Sequence, residues 1–535
     1  KILKITKHCK KKKRPPSCRS RYRFVSGCLS GRMKYFGLFL FLLSILYPVA
    51  RAFVHTHQIQ NVQRMYQGPL SLKSSEKSEE GTSQRKEPTD RESDSEGRIP
   101  LLENLILTLN DGIKKIDRAN WDSLLTDKAS PFVEYDWLYC MEESKVATAK
   151  SGWQPLHLTV AKEDTGELVA AMPLYVKYHS MGEFIFDNAW ADAAYNYFGV
   201  NYYPKLLSAS PMTPAAGERL LVRPDLDEKS RAALQQVMAQ YLKQAVAQNG
   251  LSSAHVNFIV PQEEAALEKD QYMIRTSMQY HWVNSDPNNG GEKFKSFEDY
   301  LACFPSKRRI KIKRERKSVY EDQNVEMKTY HGDTIPDDMF PVIFRIYKST
   351  IDKLYYGRQY LNEEFFLMLA KHFKRNLCFF VAVDKETGDV LGGTFNIVKA
   401  GRFYGRYWGG VGRFVKNLHF ETCYYRAIEY CIEQGLDRME PGAGGGDFKF
   451  MRGFDPAPTR SAHFIENKGL RLAVQRSLGE EEESFNEAAE YLNRQSSMKN
   501  PKAPQNLVGV EMRTASVPGY GRGSVGEKQD GEQGK

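Results

Sequence analysis

The sequence predicts an α+β protein of two similar lobes, each a mixed sheet with flanking helices. Three observations predict it. A strand–turn–strand unit occurs twice at one fixed spacing, helices with recognisable caps follow it, and 535 residues exceed what one hydrophobic core usually serves.

The repeat is the strongest of the three. Thr165-Gly-Glu-Leu-Val-Ala-Ala-Met-Pro-Leu-Tyr-Val-Lys177 aligns with Thr387-Gly-Asp-Val-Leu-Gly-Gly-Thr-Phe-Asn-Ile-Val-Lys399 at an offset of 222 residues. Each copy follows an apolar strand pattern, Leu156 to Ala161 and Cys378 to Val383, and turns at a Thr-Gly set among acids. The match is expected to run on through a Gly-x-Phe, a Trp (Trp190, Trp408) and a Tyr-Tyr pair (Tyr202-Tyr203, Tyr424-Tyr425). Helices are expected over Ser230–Asn249 with Gly250 as stop, over Glu363–His372 capped by Asn362, and over Phe420–Gln434 closed by Gly435. Asp286-Pro-Asn-Asn-Gly-Gly291 reads as a linker, which places a first lobe at 99–285 and a second at 292–492.

The ends read differently. Residues 1–32 carry twelve Lys or Arg and no acid, and read as an upstream leader foreign to the mature protein. Without them 64 basic side chains face 66 acidic ones, so the formal charge of +10 does not argue for a polyanion-binding surface over the whole chain. Residues 33–52, with one Lys, an apolar run from Phe36 to Val49 and Ala50-Arg51-Ala52, read as a cleaved signal peptide too short to span a bilayer. No stable membrane insertion is expected after cleavage. The Ala-Phe junction at Phe53 resembles that of bipartite plastid presequences, and 53–98 is a transit-like or disordered linker, though richer in acid than a transit peptide. A plastid reached through the secretory pathway is the expected location, with secretion or the endoplasmic-reticulum lumen as the alternative. The tail 493–535 is expected to be disordered. Five wide-spaced cysteines remain beyond the leader, without Cys-x-x-Cys, so neither a disulfide framework nor a metal site is indicated.

Three segments of the second lobe carry chemistry. Ser306 to Lys317 has eight basic residues in twelve. It is either a solvated helix face or, through Arg308, Arg309 and Lys311, a clamp for a phosphate or carboxylate. In Asn417-Leu-His-Phe-Glu421, His419 and Glu421 stand at a helix start. An imidazole oriented by a carboxylate suits accepting a proton from an attacking amine, although a structural histidine is the commoner outcome. In Glu440-Pro-Gly-Ala-Gly-Gly-Gly-Asp-Phe-Lys449, glycines 442, 444 and 445 allow amides to approach an anion or oxyanion. Asp447, Lys449 and Arg452 add charge beside them, and a tight structural turn is the plain alternative. In the first lobe, Lys205 and Asp187 sit among aromatics, where either core packing or a cleft could hold them.

Ordered motifs from Ile99 to Glu481 carry a resemblance. They include Pro173-Leu-Tyr-x-Lys-x-His-Ser-x-Gly-Glu-Phe, Tyr202-Tyr-Pro-Lys-Leu, Gln279-Tyr-His-Trp-x-Asn284 and Ser306-Lys-Arg-Arg. His419-Phe-Glu-x-Cys-Tyr-Tyr, Gly442-Ala-x-Gly and Arg452-Gly-Phe-x-Pro complete the set. Together they resemble the FemAB-like family of the GNAT (acyl-CoA N-acyltransferase) superfamily, named for peptidoglycan biosynthesis or recognition. The resemblance implies two tandem GNAT-like lobes and acyl or aminoacyl transfer onto an amine of a small-molecule, peptide or glycan acceptor. Acyl-CoA or aminoacyl-tRNA would be the donor. The expected roles are charge stabilisation by the glycine loop and Arg452, proton relay by His419 with Glu421, and substrate binding by Lys205, Arg308, Arg309, Lys311, Gly442, Gly444, Gly445, Asp447 and Lys449. Two departures stand out: the acyl-CoA pyrophosphate loop is not recognisable near Trp408–Arg413, and Gly446-Asp-Phe-Lys449 replaces the pattern's Gly-Glu-His-Lys. A non-catalytic peptide or glycan recognition module, or RNA binding through 306–317, would use the same lobes.

Overall fold

The computed structural model describes residues 70–72, 102, 104–353, 358–444, 446–494 and 498. The expected leader 1–32, signal peptide 33–52, nearly all of the 53–98 segment and nearly all of the tail beyond 494 lie outside the described residues.

In chain order the strands are β1 (Leu70–Leu72), β2 (Leu105–Asn110), β3 (Trp153–Pro155), β4 (His157–Lys162), β5 (Leu168–Met172), β6 (Leu174–Lys177), β7 (Lys205–Ser208) and β8 (Leu221–Val222). There follow β9 (Ser253–Ile259), β10 (Met273–Val283), β11 (Val325–His331), β12 (Leu377–Asp384), β13 (Val390–Lys399), β14 (Arg402–Gly410), β15 (Arg438–Glu440) and β16 (Asp455–Ile465). One sheet has the order β1-β2-β4-β5-β8 and the other β11-β12-β13-β14-β15-β10-β16-β9-β7-β6-β3. Pro173, which has no N–H to donate, separates β5 in the first sheet from β6 in the second.

The two hairpins are equivalent in detail. β4 pairs antiparallel with β5, and β12 with β13, each through a turn whose glycine takes a positive φ, Gly166 at 68° and Gly388 at 76°. Both ladders slip register, between Val160 and Ala161 and between Ala382 and Val383, the same position at the same 222-residue offset. Each lobe then adds a parallel pair, β7 with β9 and β14 with β15. The later landmarks do not correspond: Trp190 lies on a helix and Trp408 on β14, while Tyr202-Tyr203 precedes a strand and Tyr424-Tyr425 lies in a helical turn. Aromatic pairs recur easily wherever cores are packed, so their order carried less than the turn chemistry did.

The helices follow their caps. α1 (Tyr135–Glu143) and α2 (Asn188–Asn196) belong to the first lobe, as does α3 (Glu228–Asn249). In α3 Asp227 accepts from the Ser230 amide at 2.9 Å, and Gly250 ends the helix at φ 63°. α4 (Pro261–Lys269), α5 (Ser306–Lys317) and α6 (Met339–Ile351) precede α7 (Glu363–His372), capped by Asn362 on the Phe365 amide at 2.9 Å. The helix expected from Phe420 begins as Leu418–Phe420, widens into a π-turn over Glu421–Tyr425, and continues as α8 (Arg426–Glu433). α9 (Gly446–Phe450) and the long α10 (Lys468–Arg494) complete the body.

The lobes are joined through exchanged strands. β10 precedes the 286–291 turn in sequence, yet pairs with β15 of the second lobe. β16, the last strand, pairs with β9 of the first lobe, and β10 pairs with β16 along nine residues. A common core also crosses between the lobes. Phe132 meets Tyr404 edge-on at 5.0 Å and Trp137 meets Phe365 at 5.5 Å, contacts that each add about 0.5–1.5 kcal/mol beyond area burial. Among the described residues no helix is long and apolar enough to cross a membrane.

Candidate active site

Parallel pairing of β14 and β15 is short. Arg402, Phe403 and Tyr404 face Arg438, Met439 and Glu440, after which β14 runs on to Gly410 while the other chain turns away at Pro441. Two glycines allow this divergence. A Cβ on Gly405 would stand 3.2 Å from the Pro441 Cα, and one on Gly442, already at φ 84°, would stand 3.2 Å from the Gly405 carbonyl. The wedge opens into a cleft of about 280 Å³ between Thr394 and Asn396 of β13, Arg406 to Trp408 of β14, the helix start at His419, Cys423 and Tyr424, and Pro441, Ala443, Gly444, Phe448 and Lys449.

Lys449 is 4% exposed and its amine donates to the Gly442 carbonyl, tying α9 back onto the glycine loop. Burial lowers its pKa to about 8, so it is mainly an ammonium at neutral pH but close to its titration point. His419 lies between the rings of Trp408 and Tyr424, at 5.1 and 5.6 Å. Burial, with the nearby Arg452 charge, lowers its pKa to about 4 and keeps the imidazole neutral. Arg406, with its Nη2 on the Met212 carbonyl at 2.5 Å and on Thr213 Oγ1 at 3.3 Å, closes the cleft against the first lobe. Part of the glycine loop, a poised ammonium and a neutral imidazole therefore line one cavity, residue types that suit stabilising an oxyanion and accepting a proton.

Several sequence-derived candidates lie elsewhere. Glu421 does not reach His419. It accepts from Arg316 Nε at 3.2 Å and from the Tyr320 hydroxyl at 2.8 Å, because residues two apart on a helical turn point to nearly opposite sides. Arg452 is also outside the cleft: its guanidinium lies 3.7 Å over the Phe420 ring, bonds Glu315 at 3.1 Å and donates to the Phe448 carbonyl at 2.9 Å. It braces α9 rather than facing a reacting atom. Arg308, Arg309 and Lys311 ride on α5, outside the cleft lining. Arg309 donates to the Phe304 carbonyl at 2.8 Å, and Lys311 approaches Glu315 at 3.9 Å from an exposed position. Lys205 is fully buried in the first lobe against Ser180 at 2.8 Å, Glu183 at 2.9 Å and Asp187 at 2.5 Å. Gly444 lines the cleft and Gly442 does not, though its carbonyl accepts from Lys449; Gly445 lies outside the described residues, and so does the Asp447 side chain.

A coenzyme A pyrophosphate would need free amides between β14 and the following helix. The Val411 and Gly412 amides instead bond the Leu391 carbonyl at 3.0 and 3.2 Å. Arg413 is held by Asp384 at 2.9 and 2.8 Å. These residues do not fit that group. Arg406, Trp408, Tyr424 and Cys423 were not expected from sequence to line a site, although Trp408 and Tyr424 marked the repeat. Arg406 had one usable signal, as the lone charge between aromatics inside a strand.

A family model described as FemAB-like, peptidoglycan biosynthesis/recognition, matches residues 112–500. The chain belongs to the FemAB-like family. No curated protein matches it significantly. Solved structures similar to this FemAB-like chain include FemX, at 13% identity and TM-score 0.42, over 67% of this chain and 98% of that one. L-PGS from Bacillus licheniformis is similar at 10% identity and TM-score 0.40, over 68% and 97%. A tandem GNAT protein from the clavulanic acid biosynthesis pathway is similar at 12% and 0.31, over 68% and 99%. The β14–β15 wedge is thus a cleft within the family-matched part of the chain.

Proposed function

We propose that the chain transfers an aminoacyl or other acyl group to an amine acceptor in the β14–β15 wedge. The convergence of Lys449, His419 and the loop residues Ala443 and Gly444 on that one cavity carries the reading. In the step, the acceptor nitrogen attacks the donor carbonyl carbon, and the carbonyl electron pair becomes an oxyanion held by the Lys449 ammonium and the loop amides. His419, neutral, takes the proton from the attacking nitrogen. Collapse of the intermediate expels the donor's oxygen or sulfur, which leaves with that proton. Most of the acceleration comes from positioning and a preorganised charge environment. The tied amides of Val411 and Gly412 favour an aminoacyl ester over acyl-CoA as donor.

The test is single-turnover transfer from charged tRNA, with acetyl-CoA in parallel, to a panel of peptide and glycan amines. Transfer that depends on both Lys449 and His419 supports the reading. Saturable acceptor binding without transfer from either donor replaces it with a recognition module. We also propose that 33–98 acts as the secretory and plastid leader. Amino-terminal sequencing of the mature protein checks this, and a mature chain beginning upstream of Phe53 overturns it.

A further inference from the structure

A second cavity, of about 40 Å³, lies where the exchanged strands meet, separate from the transfer cleft. Four neighbouring strands supply its polar wall: Arg402 from β14, Arg438 from β15, His281 from β10, and Thr459 with Arg460 from β16. Ala216, Val260 and Pro261 of the first lobe cover it.

Three guanidinium groups outnumber the two carboxylates paired with them. Arg438 pairs with Glu440 at 2.9 Å and Arg460 with Glu264 at 3.2 Å, while Arg402 makes no ion pair within 4 Å among the described residues. The buried Glu440 carboxylate, the partner of Arg438, also acts through space on Arg402 and His281, and Glu218 acts on Arg402 more weakly. No carboxylate lines the cavity itself. On its wall the buried Nε of Arg438 and Nδ1 of His281 have no hydrogen-bond partner among the described residues, and Nε of Arg460 has only its ion pair with Glu264. His281 is 4% exposed, a place where an unmatched polar atom is costly.

The histidine's protonation follows from its neighbours. Gln279 donates through Nε2 to the Pro214 carbonyl at 3.0 Å, so its Oε1 can only accept from His281 Nε2 at 3.3 Å. His281 therefore carries its hydrogen on Nε2, leaving Nδ1 as an acceptor in the neutral ring. Burial holds the ring neutral, with a pKa of about 4. An occupant must present acceptor oxygens to three guanidinium groups and an O–H to Nδ1. By the same measure one water takes about 10–15 Å³, so the space holds about three waters or one five-atom oxyanion.

We propose that Arg402, Arg438, Arg460 and His281 form a binding site for a protonated oxyanion, namely a hydrogen phosphate group, either as the free ion or at the end of a monoester. Sulfate has the same size and similar charge but no hydrogen to offer Nδ1 at neutral pH, so the site discriminates against it. The site is independent of the transfer reading, and the failure of either leaves the other standing.

The experiment is calorimetric titration of the full chain at pH 7 and matched ionic strength with sodium phosphate, sodium sulfate and glycerol phosphate. Phosphate is expected to bind saturably and at least tenfold more tightly than sulfate. Arg402→Gln should raise the phosphate Kd at least tenfold with an unchanged unfolding midpoint. His281→Phe should bring phosphate down to the sulfate value. If either variant proves unfolded, the wild-type phosphate-to-sulfate ratio still decides. Glycerol phosphate binding as well as phosphate identifies a monoester site, and its failure identifies one for the free ion. Equal binding of sulfate, no saturable phosphate binding up to 10 mM, or an Arg402→Gln variant with unaltered affinity overturns the proposal.

Discussion

Lys449 holds the glycine loop in place and sets charge inside the cleft with one amine. Replacing it by Met keeps the stem and deletes the charge. Transfer kcat should fall by about 10²–10³-fold, as when one oxyanion donor is removed, and single-turnover kinetics would show it. Because the ammonium is the useful form, wild-type activity should decline as pH rises through about 8. A rate that stays flat to pH 9.5 removes Lys449 from the chemistry. A different result is expected at Lys205. Burial works against its charge, but Glu183 and Asp187 outweigh burial and raise its pKa. Lys205→Met strands two buried carboxylates and should cost about 3–5 kcal/mol in denaturant unfolding. At this scale the sequence was only partly legible. Lys449 and His419 stood out because glycines or a helix start framed them. The neighbours of Glu421 and Arg452 could not be read, since Arg316 and Glu315 lie more than 100 residues away.

Among the elements, β14 sets the tightest steric limit. A Cβ on Gly409 would meet the Ile346 carbonyl of α6 at 1.9 Å, which backbone cannot yield without moving the helix. Gly409→Ala should therefore destabilise by at least about 2 kcal/mol, whereas Gly388→Ala, with open space, should show only the smaller penalty of its positive φ. Thermal melts of the two variants side by side separate these terms. The hairpins and capped helices were legible because turn and cap chemistry acts within a few residues. The π-turn at Glu421–Tyr425 was not, and it set which side chains of the helix start face the cleft.

Across the whole molecule, the exchanged strands predict that the lobes unfold together. Fluorescence and far-ultraviolet dichroism should give one coincident urea transition, and two separated transitions would contradict the shared sheet. At the seam His255 and His463 meet through their Nδ1 atoms at 2.7 Å, each also bonded to a serine. Burial is the main cause that lowers both, His463 to about 3, so the native state resists a proton that the unfolded chain takes up near pH 6.5. Stability from His463 is thus complete above about 6.5 and lost as pH falls toward 3. Asp455 and Glu263, raised by burial to about 7, act in the opposite sense, so the wild-type-minus-variant difference is the useful quantity. Against His463→Gln, wild type should lose about 2 kcal/mol of relative stability between pH 7 and pH 5. No local pattern announces strand exchange, because register between β9 and β16 is fixed across some 200 residues of chain.

That separation has a bearing on synthesis. When β9 leaves the ribosome at Ile259, the strand that covers its edge, starting at Asp455, has not yet been made. At about 5–20 residues per second, the half-finished sheet waits for roughly 10–40 s with unpaired amides and carbonyls on display. The nascent first lobe is therefore a client for chaperones during that interval, and truncation before residue 455 leaves a permanently sticky product.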